Sequence, residues 1–406
     1  LKLSDVARAT HWVEGLPGAA NLLAGFAVRG SGESTATWSG GWQGDGPTMQ
    51  VHVKVPNAEL LPPNRAAGSA YVFREVQADL TGAMGAFTVA ILGKAQQGPR
   101  RLSLESRVTG RRSVVSAGSE WLFAMESLRV QAQDGLQAET WTARIREPVN
   151  LSWRLSATGS MMDIGAGKAD VTGPAAGSAS VSWQPAHWRN LGKTQEISTR
   201  GVVQGIPLTW IASLASGQIA QLGLRGDLTF DGEWNLQSAM TLRANASLRR
   251  RSGDIDVLAG NDSGHGVGQT SASVVTAGIR EARLDMTMED DDVKVVARWN
   301  SERAGVAQGE LKTRVTAGTG GWQWPGTAPL SGVFKASFPQ VSAWSMLAPA
   351  GWRIRGTLDA AVALGGTRSS PKWSGSLNAD NLAVRSIADG IEFSNGGWWG
   401  AGPTSP

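Results

Sequence analysis

The chain of 406 residues has no cysteine, one tyrosine and four histidines. Without cysteine, neither a disulfide framework nor a thiolate metal site can form, so the fold must be held by burial and backbone hydrogen bonds. His11, His52, His187 and His265 do not stand at metal-ligand spacing from one another or from a carboxylate pair, and no metal or other cofactor is expected. Charged residues are scarce at 18%, and the net charge of +4 is scattered along the chain rather than gathered in one arm, which gives little support to a nucleic-acid partner. There is no run of about 18 uninterrupted apolar residues. No Gly-x-Ser-x-Gly elbow, Walker loop or dinucleotide fingerprint falls between a strand and a helix, and no catalytic constellation is found, so an enzyme is the least supported class. An initiator methionine and a signal peptide are also missing, which reads as a piece cut from a longer protein.

What is present is alternation. From Leu222 to Leu248 the even positions are almost all apolar and the odd positions from Gly223 to Arg249 almost all polar or charged. Side chains alternate across a strand, so this register gives a sheet with one apolar and one wet face, and something must cover the apolar one. The span exceeds the usual strand length of about 3 to 10 residues and must turn back. Asp231-Gly232 is the expected turn, and keeping Phe230 and Trp234 on one face requires a three-residue loop, Asp231 to Glu233. Further on, Ala282, Leu284, Met286 and Met288 are even while Val293, Val295, Ala297 and Trp299 are odd, so an even loop over Glu289 to Asp292 restores the face. The run of acids there is expected to be a solvated turn rather than a calcium or acid/base site. Arg249 to Arg251 is likewise expected at a hairpin tip.

The class expected is therefore all-β, a mainly antiparallel sheet with a few short helices. Strands of about 6 to 10 residues are read at 36–42, 50–55, 70–80, 86–92, 101–108, 121–130, 139–145 and 151–158. Residues 3–12 and 339–350 carry helical spacing; 184–191 reads as irregular, 201–214 as a short helix or turn capping an edge, and 260–269 as a glycine-rich loop. Eighteen tryptophans are unusual, and Trp121, Trp141, Trp234, Trp299, Trp352 and Trp373 fall on the apolar side of their strands, either filling a core or lining a ligand surface.

Segment 356–367 (GTLDAAVALGGT), followed by 371–377 (PKWSGSL) and 389–396 (DGIEFSNG), resembles the TamB family, the translocation and assembly module subunit of bacterial envelopes and a relative of AsmA-like proteins. Gly365, Gly366 and Thr367 suit a tight loop, Pro371 a strand start, and Gly356 and Gly375 leave room on the apolar face. The resemblance covers about 3–396 and implies an elongated, twisted sheet curled into a U-shaped, taco-like hydrophobic groove, with weak internal breaks near 184–192, 260–269 and 339–350. It further implies a periplasmic location in a Gram-negative bacterium and a role in outer-membrane assembly, protein secretion and phospholipid movement. The partners implied are acyl chains, the outer-membrane barrel TamA, and the inner membrane through an anchor that this chain lacks. Residues 397–406 depart from the pattern and are expected to be an atypical tail.

The expected groove lining is Leu224, Leu228, Phe230, Trp234, Leu236, Met240, Leu242, Leu284, Met286, Val295, Trp299, Leu311, Trp352, Ile354, Leu358, Val362, Trp373 and Leu377. The alternatives are a closed β-sandwich or solenoid serving as a spacer or adhesin-like stalk, and a transmembrane barrel, which the lack of aromatic girdles disfavours.

Overall fold

The computed structural model describes residues 2–3, 27–41, 47–61, 70–83, 85–115, 118–135, 140–156, 159–190, 195–210, 225–239, 241–258, 274–318, 321–347, 352–386 and 391–401. The fold is all-β, and every strand pairing is antiparallel in the ladders described below. The chain divides into two compact units, Leu1–Gly201 and Val202–Pro406.

Unit 1 begins with β1 (Lys2–Leu3), β2 (Ala27–Ser39), β3 (Thr48–Leu61), β4 (Tyr71–Ala83), β5 (Ala86–Gln97), β6 (Arg100–Val115) and β7 (Gly118–Asp134). It continues with β8 (Trp141–Ile145), β9 (Val149–Ser156), β10 (Gly159–Ile164), β11 (Gly167–Thr172), β12 (Ser178–Trp183), β13 (Ala186–Asn190) and β14 (Gln195–Pro207), whose residues from Val202 onward belong to unit 2. From β2 to β7 each strand pairs with the next. At β7 the sheet forks. Its first half pairs with β9 (Ser119 opposite Leu155) and its second with β8 (Ala132 opposite Trp141). One branch runs from β9 through β10 and β13 to β14, the other from β8 through β11 to β12.

The strands are longer than the alternation suggests, 16 residues in β6 and 17 in β7. In β3, read over 50–55 but running from Thr48 to Leu61, the register shift at Ser31/Glu33 puts one extra residue between Lys54 and Asn57; the shifts at Arg74/Gln77 and Arg107/Val108 put theirs in β4 and β7. Each bulge changes the face on which a given parity falls, so a strand that continues through one looks in sequence like a strand that has ended. Residues 184–191, expected to be irregular, are instead largely β13, where Trp188 lies opposite Met162 and His187 opposite Asp163. Apart from strand residue Leu3, the helix expected over 3–12 lies outside the described residues, as does the loop 260–269.

Unit 2 contains β15 (Thr229–Ser238), β16 (Leu242–Ser252), β17 (Asp256–Leu258), β18 (Val274–Thr276), β19 (Ile279–Glu289), β20 (Asp292–Ser301), β21 (Gly305–Arg314), β22 (Thr316–Gly318) and β23 (Gly321–Gln323). These are followed by β24 (Leu330–Phe338), a 3-10 helix (Val341–Leu347), β25 (Trp352–Thr367), β26 (Ser370–Ser386) and β27 (Ile391–Ala401). The main ladder runs β15, β16, β19, β20, β21, β24, β25, β26, β27.

Four local expectations need correction. Asp231-Gly232 is not a turn but the interior of β15; the odd loop that parity demands is residues 239–241, which joins Ser238 to Leu242. Asp231 stays extended because its carboxylate accepts the Gly205 N–H at 3.0 Å and meets Arg251 at 3.3 Å, so it is not free to cap a turn of its own. Arg249 to Arg251 lie within β16 rather than at a tip, with Arg250 donating to the Gly253 carbonyl at 2.8 Å. The turn between β25 and β26 is Arg368-Ser369, and Gly365 to Thr367 still belong to β25. Residues 397–401 are strand, with Trp398 opposite Ala379.

The even loop behaves as parity requires: Glu289 lies opposite Asp292, and Asp290, at φ 51°, and Asp291 form a two-residue turn. The 339–350 stretch supplies the 3-10 helix; of 201–214, expected to be a short helix or turn, residues 201–207 are instead the end of β14, helix runs only from Leu208 to Trp210, and 211–214 lie outside the described residues. Gly375 is required by backbone geometry, since its φ is 143° and a Cβ there would lie 2.1 Å from the Ala361 carbonyl oxygen.

The core of unit 2 sits at one end of its strands. Leu228, Phe230, Ile255, Val257, Ala277, Ile279, Ala282, Ala304 and Ala343 form a buried cluster, with Ile206, Leu248, Trp299 and Trp344 packed on it. The hairpin of β17 and β18 contributes Val257 to it and Val275 packed against it. From the 3-10 helix, Trp344 donates its indole N–H to the Ala304 carbonyl at 3.0 Å and lies 5.9 Å from the rings of both Trp299 and Phe338. Ser345 clamps the helix to β25 by donating to the Ile354 carbonyl and accepting its N–H.

Candidate functional site

Alternation within strands becomes a surface only if neighbouring strands are in register, and in unit 2 they are. One cross-strand row reads Trp234, Ala246, Met286, Val295, Leu311, Gly332, Leu364, Trp373 across eight strands. The next row on the same face reads Gly232, Leu248, Leu284, Ala297, Gly309, Phe334, Val362, Gly375. A third, Ala282, Trp299, Ala307, Ala336, Ala360, Leu377, lies toward the core, and a fourth, Leu236, Ala244, Met288, Val293, Thr313, Leu330, toward the turns. None of these four rows contains a charge.

The opposite face carries the ions. Lys294 reaches Glu310 at 2.9 Å, Arg314 reaches Asp292 at 2.8 Å, and Arg283 reaches Asp285 at 2.7 Å. The hydrogen bond from Lys294 holds the Glu310 carboxyl below the usual carboxylate range, with Lys312 adding to it. These pairs are exposed and lie along a solvated face.

The apolar face is not covered throughout. Leu284 is 43% exposed, Met286 36%, Phe334 43% and Trp373 62%. Burying a large apolar side chain fully contributes about 1.5–3 kcal/mol, so four half-covered ones leave several kcal/mol for whatever lies on the face.

The expected lining residues thus separate into three groups. Trp234, Leu236, Leu284, Met286, Val295, Trp299, Leu311, Val362, Trp373 and Leu377 share the four rows, Leu358 lies opposite Phe338 on the same side, and Ile354 lies opposite Val384. Leu228, Phe230 and Leu242 are buried, the first two inside the core cluster. Leu224 and Met240 lie outside the described residues, as does the side chain of Trp352.

The expected lining contains no residue of unit 1, although Trp121 and Trp141 are read there on the apolar side of their strands. There a row runs Met49, Gly82, Phe87, Gly110, Phe123, Leu151, Ile164, Ala186. A second runs Trp121, Trp153, Met162, Trp188, Ile197. Phe87, Trp121 and Phe123 cluster with ring centroids 5.9 to 6.4 Å apart, and a Cβ on Gly110 would strike the Phe87 ring at 2.4 Å. A cavity of about 980 Å³ crosses these strands, lined by Met49, Gly82, Phe87, Gly110, Phe123 and Leu151 of the first row and by Thr48, Gln50, Thr88, Thr109, Arg111, Asn150, Ser152 and Asp163. The signal that could have found it is the alternation of Phe87, Val89 and Ile91 against that of Trp121, Phe123 and Met125.

Among the described residues no group of three or more His, Asp or Glu could hold a metal. His52 pairs with Asp79, and His187 with Asp163 at 2.6 Å, which holds the Asp163 carboxyl below its usual range. No described helix is long and apolar enough to cross a membrane. No family model, curated protein or solved structure matches this chain. The geometry is a one-sided ladder whose apolar face can take extended apolar groups without directional bonds, opposite a polar face that carries ion pairs of its own.

Proposed function

We propose that the protein is a periplasmic scaffold or conduit of a Gram-negative envelope that binds acyl chains on the apolar face of its ladder, serving phospholipid transport to, and assembly of, the outer membrane. The observation that carries this reading is the run of uncharged rows across eight strands with Leu284, Met286, Phe334 and Trp373 left half-covered. Such a surface binds chains by contact area and lets them slide, because no bond fixes a position along it. The family resemblance of 356–396 supports the same reading, and with it come the barrel partner TamA and the inner-membrane anchor as further parts of the proposal.

Native mass spectrometry of the chain purified without detergent, with organic extraction of what it carries, tests this. Phospholipid bound at several copies per chain is expected, and Met286→Glu is expected to lose it while melting as the wild type does. The sealed core at one strand end favours a second reading, a closed sandwich serving as a spacer, if that closure extends along the face. A wild-type chain that purifies free of lipid would establish that spacer reading instead.

A further inference from the structure

We propose that one corner of unit 2 docks on an anionic phospholipid bilayer. The corner is built by residues 316–318, 321–330 and 365–377, which contain Trp322, Trp324, Trp373, Arg368 and Lys372 and not one Asp or Glu. The three tryptophans are 49%, 42% and 62% exposed. Exposed tryptophan in this density does not help a protein that faces only water, but at a bilayer surface its apolar ring and polar N–H sit on the two sides of the headgroup boundary.

The two segments are locked together. Arg368 stacks over the Trp324 ring at 4.8 Å and donates to the Trp324 carbonyl, while its own N–H donates to the Ala328 carbonyl at 3.0 Å. The Ser369 N–H donates to the Gly326 carbonyl at 2.9 Å, and Pro329 bridges Thr367. The corner also rims the apolar face. Trp324 donates its indole N–H at 2.9 Å to Thr313, a member of the fourth row, and Trp373 closes the first row opposite Leu364. It stands at the turn end of the strands, opposite to the sealed core.

Charge selects the partner. Anionic headgroups attract Arg368 and Lys372, and no acid in either segment opposes them. The acids at the same strand end, Glu289 to Asp292, lie on the turn between β19 and β20, with β21 and β24 between it and the β25–β26 turn. Three of the four are also engaged: Asp292 with Arg314, Glu289 with Arg243, and Asp290 with the Leu242 N–H.

Co-sedimentation of the whole chain with vesicles of phosphatidylcholine, alone or mixed with phosphatidylglycerol, reads the proposal directly and does not depend on acyl chains occupying the ladder. The wild type is expected to bind the mixed vesicles more tightly than the neutral ones. Arg368→Gln with Lys372→Gln weakens binding to mixed vesicles about 25-fold, roughly fivefold per cation, and leaves binding to neutral vesicles unchanged. Trp322→Ser with Trp373→Ser weakens both. Lys372→Glu alone, at an exposed side chain, repeats the charge effect if the Arg368 variant disturbs the corner. Met286→Glu, which empties the face, should sediment as the wild type does. A wild type that sediments with neither vesicle, or corner variants that bind as it does, overturns the proposal and leaves the acyl-chain reading to stand or fall on its own test.

Discussion

Among the described residues, unit 1 buries Pro47, Ala58, Val149 and Ala179, whereas unit 2 gathers Leu228, Phe230, Ile255, Val257, Ile279 and several alanines into one sealed cluster. Both units have registered apolar rows. In unit 1 the large side chains lie half-buried on one another, as Phe87, Trp121 and Phe123 do, and the sheet widens by forking at β7. In unit 2 the same kind of row is closed at one strand end by the 3-10 helix and the β17–β18 hairpin and left open at the other. The difference shows that the ladder does not need a sealed core to propagate. Backbone hydrogen bonds and cross-strand pairs extend it, and a core is added where a connection between strands is long enough to fold back over the face.

Substitutions can break or sharpen that contrast. The largest effect is expected at Phe230, where Phe230→Ala should cost about 3–5 kcal/mol in denaturant unfolding because it empties a closed cluster. Gly375→Val should follow at about 3 kcal/mol, since no side chain fits at φ 143° with the Ala361 carbonyl 2.1 Å away; Gly365→Ala, with nothing within 4 Å, should stay within about 0.5 kcal/mol. Phe123→Ala in unit 1 should cost about 2 kcal/mol, because its ring is only half-buried. Equal costs at Phe123 and Phe230 would erase the distinction between the units. Met286→Glu should change stability by less than about 1 kcal/mol, its side chain being 36% exposed already.

The smallest effect is expected from Asp170→Asn. Hydrogen bonding from Arg146, at 2.7 Å from its Nε, holds the Asp170 carboxyl below the usual carboxylate range. A depressed carboxyl contributes stability above its unfolded pKa of about 3.9 and loses it as pH falls through the folded value. Melting curves should therefore separate variant from wild type at neutral pH and converge below about pH 4; a gap that persists in acid would mean the asparagine disturbs packing rather than charge.

Much of this was legible in the sequence because period two is a local signal. The apolar set Leu284, Met286, Val295 and Trp299 was assigned to one face from parity alone, and the rows unite it. Turn placement was less legible. Asp231-Gly232 carries every local mark of a turn, and the contacts of Asp231 with Gly205 and Arg251, distant in sequence, hold it in a strand paired with β16. Bulges were invisible, because the extra residue between Lys54 and Asn57 makes β3 look as if it ended at Val55. Nor does alternation separate residues that a distant element covers from those it leaves open: Phe230 and Met286 have the same pattern, and the 3-10 segment and small hairpin that seal one end make the difference.

The turns of unit 2 obey one arithmetic. Residues 239–241 join even to even, and Asp290-Asp291 joins even to odd, each preserving the face. Inserting or deleting one residue inside a strand would turn every side chain inside out as far as the next turn, while a change of two, or one absorbed by a bulge, leaves the surface intact. Inheritance in such a ladder is thus punctuated: lineages should differ by paired residues within strands and by single ones only at turns and bulges, and a library of one- and two-residue deletions along β20 would display that two-beat tolerance.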